Sequence, residues 1–537
     1  MSEAKHTRSR TGGDTGAPQL APGWKLEALL PPAALIGANG MRMGPDGLLY
    51  VAQAFGSQIS SVDPATGAAR VVSAADGAII APDDLAFDSH GNLYATEVMS
   101  ARVSVIRPNG AIDVIAGDVP VANGITVHAD RIFMSEFRPE GRIWELYADG
   151  AAPRLIASGL MMPNALCLGP DGWLYFPLVP LGEVWRVPVE GGAAQRVVGG
   201  LDIPTAVKFD PAGRLVVVES GSGAVTRVDI GTGSASLFAQ VAYGIDNLAF
   251  APDGRLFVSH FTDGEVIEIA PDGTRRVAVA GGLSGPYGLC AGADGTVRVA
   301  DGMSIAAVAT DGTVDRPAML LQHGFPGYVR GVAEGAEGAW IVTNSAGQCC
   351  RYRPGGEAEV LADSLDEAMG VLRHGDDIYL CEAGAGRVLG IDSAGAVRVV
   401  AGGLERPTGI AVANDGGLLV TEAAGGRLLH LSACGEAATV MNGMSEPHGV
   451  ACTRGSIFVI DRATASLHCV DPHGVASVIA EDLPTGPGKG IHPNVLPGIA
   501  DLMPGPLLPF ADLCAMPCGS LIAGADTNGS LLSISPA

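Results

Sequence analysis

Twelve times in 537 residues the chain returns to one short phrase: a polar or small pair, an apolar run, a turn built on Asp-Gly or a close variant, and a second apolar run. The pairs are Asn39-Gly40, Asp83-Asp84, Asn123-Gly124, Asn164-Ala165, Thr205-Ala206 and Asp246-Asn247. They continue as Tyr287-Gly288, Arg330-Gly331, Met369-Gly370, Thr408-Gly409, His448-Gly449 and a degenerate Ala511-Asp512. The spacing stays between 39 and 44 residues until a last step of 63. A period of this length marks a supersecondary unit that cannot bury its apolar face alone and must stack on its neighbours.

Each copy carries four strand-like runs. In the copy from Asp246 these are LAFA, RLFVSH, EVIEIA and TRRVAVAGGL, with Pro-Asp-Gly turns between runs. Four short strands per repeat predict an all-β chain of β-propeller blades. One ring of twelve would leave a wide, unfillable channel, so the copies predict two tandem six-bladed propellers. The last copy stops after three strands (ADLCAM, SLIAGA, SLLSIS), while Trp24–Leu30 (WKLEALL) stands alone near the start. Trp24–Leu30 is expected to complete the sixth blade, and the stretch 275–283 the twelfth. That gives a disordered leader over residues 1–21, a first propeller over 22–272 and a second over 273–537. Residues 486–510 break the period, and 11 of these 25 are Gly or Pro. They read as a lid or binding loop, or as a spacer.

Composition narrows the function. A formal charge of −24 argues against a nucleic-acid surface and an anionic-membrane surface. Apolar runs are too short to span a bilayer. The first residues lack the apolar core of a secretory signal, and most of the ten cysteines fall in strand-like runs as small hydrophobes. A reduced, cytoplasmic protein acting on a small molecule is the expectation.

The first strand of a blade is innermost, so the residues that open it surround a channel mouth. In the first ring these are Asn39, Asp83, Asn123, Asn164, Thr205 and Asp246, all bearing oxygen. The second strands end at Gln53, Glu97, Glu136, Leu178, Glu219 and His260. Convergent carboxylate and amide oxygens suit a hard divalent cation, Ca²⁺ first, with Zn²⁺ or Mg²⁺ as alternatives. The competing reading is Asx-turn chemistry at strand entry, and for the glutamates a clamp on loop N–H groups. Asn39, Asp83, Asn123, Asn164 and Asp246 are the candidate metal ligands. His260 is a candidate general base beside them. The second ring's list, Tyr287, Arg330, Met369, Thr408, His448 and Ala511, shows no metal pattern. Arg330 and His448 are its catalytic candidates, or else wall residues, with Lys489 and His492 placed over them.

PNALCLGPDGWLYF, DNLAFAPDGRLFVSH and PTGIAVANDGGLLVTE resemble the repeats of the SMP-30/gluconolactonase family, and also those of virginiamycin B lyase and NHL proteins. The lactonase resemblance implies one divalent cation held by a Glu, two Asn and an Asp. Asn123 and Asn164 match the two Asn, whereas Asn39 and Thr205 stand where the family has its Glu and Asp. His448, in PHGV, is the match to the lyase's histidines. The expectation is a metal-dependent hydrolase of the lactonase type, acting on a lactone or ester in the first ring. A metal-assisted lyase is the alternative, and a non-enzymatic propeller scaffold for a protein or peptide is the third reading.

Overall fold

A computed structural model describes residues 10–12, 16–432, 436–500 and 502–537. The copies form twelve antiparallel sheets, in which each strand pairs with the next in sequence. The turns follow from local chemistry. Asp46, Asp171 and Asp253 each accept the N–H two residues on (3.1, 3.2 and 3.1 Å). The glycine that follows takes φ of +80°, +77° and +88°, which costs little without a Cβ.

The first strands close two six-membered cycles. Those at Met41–Met43, Pro82–Phe87, Ala122–His128, Cys167–Leu168, Pro204–Phe209 and Ile245–Phe250 each touch the next, and the last touches the first. Those at Gly288–Ala291, Val329–Glu334, Ala368–His374, Pro407–Val412, Pro447–Thr453 and Leu513–Ala515 do the same. The protein is all-β and consists of two six-bladed propellers. The first ring comprises Ala34–Gly281 with His492–Ile499. The second comprises Gly282–Ile491 and Ala500–Ala537 with the N-terminal residues up to Ala33.

The terminal strands close the rings in the opposite sense to the expectation. Trp24–Leu30 pairs with Ser530–Pro536, as the outer strand of the twelfth blade. Arg275–Val279 pairs with Val266–Ile269 and finishes the sixth blade. The junction therefore falls at Gly281/Gly282 rather than near residue 272. Arg275–Val279 follows its partner across a tight turn, with Gly273 at φ +88°, so hairpin closure costs far less chain entropy than a distant return. Trp24 then docks edge-on against Phe458, 5.8 Å between rings.

The supposed leader also carries structure where it is described; residues 1–9 and 13–15 lie outside the described residues. Gln19–Leu20 pairs with Ala480 and Glu481. Arg10 is buried in the second ring, donating to Leu283 O (2.8 Å), Ser284 O and Asp526 O (3.2 Å). The nine described cysteines are free. Among the described residues, no helix is long and apolar enough to cross a membrane.

Candidate functional site

In most blades the pair that opens the first strand sits in a β-bulge. Register slips between Pro82 and Leu85, between Ala122 and Ile125, and between Ile245 and Leu248, around Asp83-Asp84, Asn123-Gly124 and Asp246-Asn247. A bulge re-aims side chains and leaves amides without ladder partners. A hydroxyl on the second strand takes over. Thr96 Oγ1 accepts Asp84 N–H (3.0 Å) and donates to Asn123 O of the next blade. Ser135 bridges Gly124 N–H (3.2 Å) to Asn164 O (2.9 Å), and Ser259 bridges Asn247 N–H (3.0 Å) to Asn39 O (2.7 Å). Thr343 and Thr421 repeat the device in the second ring. These hydroxyls fix where the channel residues point, and nothing in the strand pattern marks them out.

The pair's second residue is often glycine because the next blade's backbone is in the way. A Cβ on Gly124 would lie 2.6 Å from Ala165 Cα. Asp84 and Asn247 occupy this crowded position instead. Asp84 is fully buried and accepts Leu85 N–H (2.9 Å), Ile125 N–H (3.0 Å) and Asn247 Nδ2 (3.3 Å), so its two oxygens tie three blades together.

Of the six oxygen-bearing residues at the first ring's entry mouth, three are spent on the protein. Asn39 turns its amide nitrogen to Asp246 Oδ2 (3.2 Å) and its oxygen to Ala54 N–H (3.1 Å), which makes it an orienting donor rather than a free ligand. Asn164 Oδ1 accepts Ala165 N–H at 2.7 Å, and Thr205 Oγ1 donates to Ile245 O at 3.3 Å. Three remain open. Asn123 Oδ1 is buried with no hydrogen-bond partner. Asp83 and Asp246 keep partial solvent contact, and neither is in an ion pair with a Lys or Arg among the described residues. Burial, reinforced by Asp246 and Asp84, lifts the Asp83 carboxyl well above the usual carboxylate range. Burial pushes Asp246 up to about 7, against the opposing pull of Asn39 and with a further push from Asp84.

The second-strand ends are clamps. Glu97 Oε2 accepts Ile80 N–H (2.6 Å) and Arg102 Nε (2.8 Å), Glu136 is held by Arg138, Arg142 and Trp144, and Glu219 accepts Asp202 N–H at 2.8 Å. His260 is built in the same way: Nε2 lies 2.5 Å from Tyr243 O, and Nδ1 lies 3.2 Å from Thr262 Oγ1 and 3.0 Å from Asp263 Oδ1. With both nitrogens engaged, His260 holds the loop and contributes its field to Asp246 rather than an open base. The fourth blade departs from this plan, ending in the buried apolar Phe176 and Leu178.

The second ring's entry mouth is filled. Arg330, 1% exposed, donates to Ala368 O (3.3 Å) and to Pro506 O of the irregular stretch. His448 Nδ1 accepts Ala511 N–H (3.3 Å), Nε2 faces Glu446 Oε1 at 3.6 Å, and Phe510 lies against the ring at 5.8 Å. Burial pushes the His448 imidazole down, while His448 and Arg462 hold Glu446 at about 2. His448 Nδ1 is taken by Ala511 N–H and Nε2 is turned to the Glu446 carboxylate, so both catalytic candidates of this ring sit as buried wall residues. Pro506 and Phe510 cover it, where Lys489 and His492 were expected. Lys489 pairs with Asp482 (3.0 Å), and His492 belongs with the first ring, its N–H donating to Asp76 at 3.4 Å.

One further acid-rich group, Asp88, His90 and Asp130, lies on exposed turns. Asp88 is occupied by His90 N–H, Asn92 and Tyr94, and Asp130 by Ser89. It is turn chemistry.

The fold defines a tandem β-propeller, with a candidate site at one channel mouth of its first ring. The virginiamycin B lyase family matches residues 194–467, 274 of the 537 residues. The chain belongs to that family. The match straddles Gly281/Gly282, so it follows the repeat across both rings. A gluconolactonase from Zymomonas mobilis is 31% identical over 139 residues, 25% of this chain and 31% of that protein. A virginiamycin B lyase from Nocardia farcinica is 36% identical over 114 residues, 21% of this chain and 38% of that protein. The chain thus spans about a third of the length of these curated relatives. A solved streptogramin B lyase structure aligns at 19% identity with a TM-score of 0.39, over 55% of this chain and 98% of that one.

Proposed function

We propose that the first ring is a divalent-cation-dependent hydrolase of a small lactone or ester, with its site at the entry mouth. The observation that carries this is a set of uncompensated oxygens: Asp83, Asp246 and the orphaned Asn123 Oδ1 share one mouth that holds no paired cation. Two partly desolvated carboxylates beside each other are costly unless they bind protons or a cation. An all-oxygen donor set selects a hard ion, Ca²⁺ before Zn²⁺. These residues fit such an ion, and Asp83, Asn123 and Asp246 would hold it. When bound, a cation of this kind supplies Lewis-acid polarisation of a carbonyl, or a water of lowered pKa.

The chain's own part is orientation. Asn39 fixes the Asp246 carboxylate through its amide N–H, Thr96 and Ser259 fix the two bulges, and Asp84 anchors the strands beneath. Phe176 and Leu178 are packed into the core with Phe133, Ile143 and Leu160, so the fourth blade adds no polar group at its second-strand end. Similarity to a gluconolactonase over a quarter of the chain supports the carbonyl-hydrolase reading. The lyase chemistry named by the family finds less support, because His448, the histidine that resembles the lyase repeats, is buried with Nδ1 taken by Ala511 N–H and Nε2 turned to Glu446.

The test is metal analysis of the purified protein, with calcium titration calorimetry and a panel of lactones and esters. One bound ion per chain, lost in Asp83→Asn, and cation-dependent ring opening are expected. No stoichiometric Ca²⁺, Zn²⁺ or Mg²⁺, together with no titratable binding, would overturn the proposal.

A further inference from the structure

Three residues along the inner strand from each mouth pair, about 10 Å on at roughly 3.3 Å per residue, the first ring changes sign. The residues at this level are Arg42, Ala86, Thr126, Cys167, Lys208 and Ala249. Their second-ring counterparts, Cys290, Ala333, Leu372, Ala411, Ala451 and Cys514, carry no charge, so the fold itself has no need of cations there. Lys208 is 5% exposed, and its ammonium makes one hydrogen bond, 3.3 Å to Leu166 O. Arg42 donates to Leu85 O (2.9 Å) and Ile125 O (3.0 Å). All three acceptors are neutral carbonyls, and neither cation is in an ion pair among the described residues. The one buried carboxylate acting on Lys208 is Asp84, which already serves two backbone N–H groups and Asn247. A single partner carboxylate leaves a net positive charge in a partly desolvated space.

That space is a cavity of about 290 Å³, bordered by Arg42, Thr126, Cys167, Lys208 and Phe209. We propose that this far mouth of the first ring binds a small oxyanion, the carboxylate or phosphate of a compact ligand, between Arg42 and Lys208. An ammonium has three donors and Lys208 uses one, so two remain for the ligand, with the free guanidinium N–H groups of Arg42 facing it across the cavity. The volume sits at the small end of ligand pockets, which limits the occupant to a phosphate or a short dicarboxylate. Burial and the neighbouring Arg42 pull the Lys208 ammonium down to about 8, the state an arriving anion would reverse.

The test is titration calorimetry on the full chain with inorganic phosphate, sulfate and succinate, at constant ionic strength set with chloride. Saturable binding of at least one probe is expected, weakened tenfold or more by Lys208→Met and by Arg42→Met and kept within threefold by Lys208→Arg. Asp83→Asn, at the other mouth, should bind as wild type does. Preference for succinate assigns a carboxylate ligand, and preference for phosphate a phosphate ligand. Absence of saturable binding by the wild-type protein, or wild-type affinity in both methionine variants, would overturn the proposal and leave the two cations as a channel plug. The wild-type titration decides the matter even where a variant does not fold.

Discussion

Replacing Asp246 by Asn isolates the cost of the acidic mouth. The side chains have the same shape, and the amide oxygen can still accept from Asn39 Nδ2. Folding raises the Asp246 carboxyl from 3.8 to about 7. A carboxyl that holds its proton more tightly in the folded state contributes its stability fully below about pH 4. That contribution then drains as the pH climbs to 7, because the unfolded chain ionises first. Three pH units at roughly 1.4 kcal/mol each set a ceiling of about 4 kcal/mol. Partial solvent contact at the mouth lowers the expected loss to about 2 kcal/mol. Asn cannot ionise, so in the presence of a chelator Asp246→Asn should match wild type at pH 4 and exceed it by about 2 kcal/mol at pH 8. For a ring of this size that is roughly 5 °C in melting temperature. Urea and thermal unfolding followed by tryptophan fluorescence give the measurement, since Trp144, Trp173 and Trp185 all belong to the first ring. Excess Ca²⁺ should close the gap by stabilising wild type and not the variant. A variant less stable than wild type at pH 8, or a difference that does not change with pH, refutes the reasoning.

Asn123→Ala should weaken calcium binding at least tenfold, because its oxygen is unpaired, whereas Asn164→Ala should change it less than threefold, because that oxygen is spent on Ala165 N–H; calorimetry compares them directly. Glu97→Ala strips Ile80 N–H, Arg102 and Ser104 of their shared acceptor and should cost the first ring about 3 kcal/mol in urea unfolding, with calcium affinity unchanged. Deleting residues 1–30 removes both Arg10 and the outer strand of the twelfth blade, so hydrogen exchange across Ser530–Pro536 should accelerate at least a hundredfold while the first ring's tryptophan emission stays as it was.

The repeat was legible because a period-2 apolar pattern and a Pro-Asp-Gly turn recur in fixed order, and both are local chemistry. Ring closure was not, because Trp24–Leu30 and Arg275–Val279 are equally good outer strands. The choice rests on the entropy of a hairpin against a long return, and strand composition does not record it. The mouth was legible by residue type and misread by role. Asn39, Asn164 and His260 carry the right atoms, but bulges and neighbouring N–H groups consume them. Thr96, Ser135 and Ser259 carry no signal of their own, because a hydroxyl inside an alternating strand looks like any other small residue.

Comparing the two rings separates scaffold from chemistry. Both keep the bulge, the bridging hydroxyl and the acid that clamps the incoming loop, as Glu97 and Glu422 show by accepting Ile80 N–H (2.6 Å) and Glu405 N–H (2.7 Å). Features shared by a ring with filled walls and a ring with open charges belong to the blade. What differs is charge balance. In the second ring Arg462 meets Asp526 at 3.1 Å and His448 faces Glu446, while Arg330, like Arg42, is held by backbone carbonyls. In the first ring acids gather at one mouth and cations at the other, with Asp84 between them serving backbone and Asn247. Folding alone would favour pairing Lys208 with an acid, or replacing both by the alanines and cysteines of the second ring, since unpaired buried charge costs several kcal/mol. The charges at the two ends of the first ring's channel are those that the proposed cation and oxyanion sites would use.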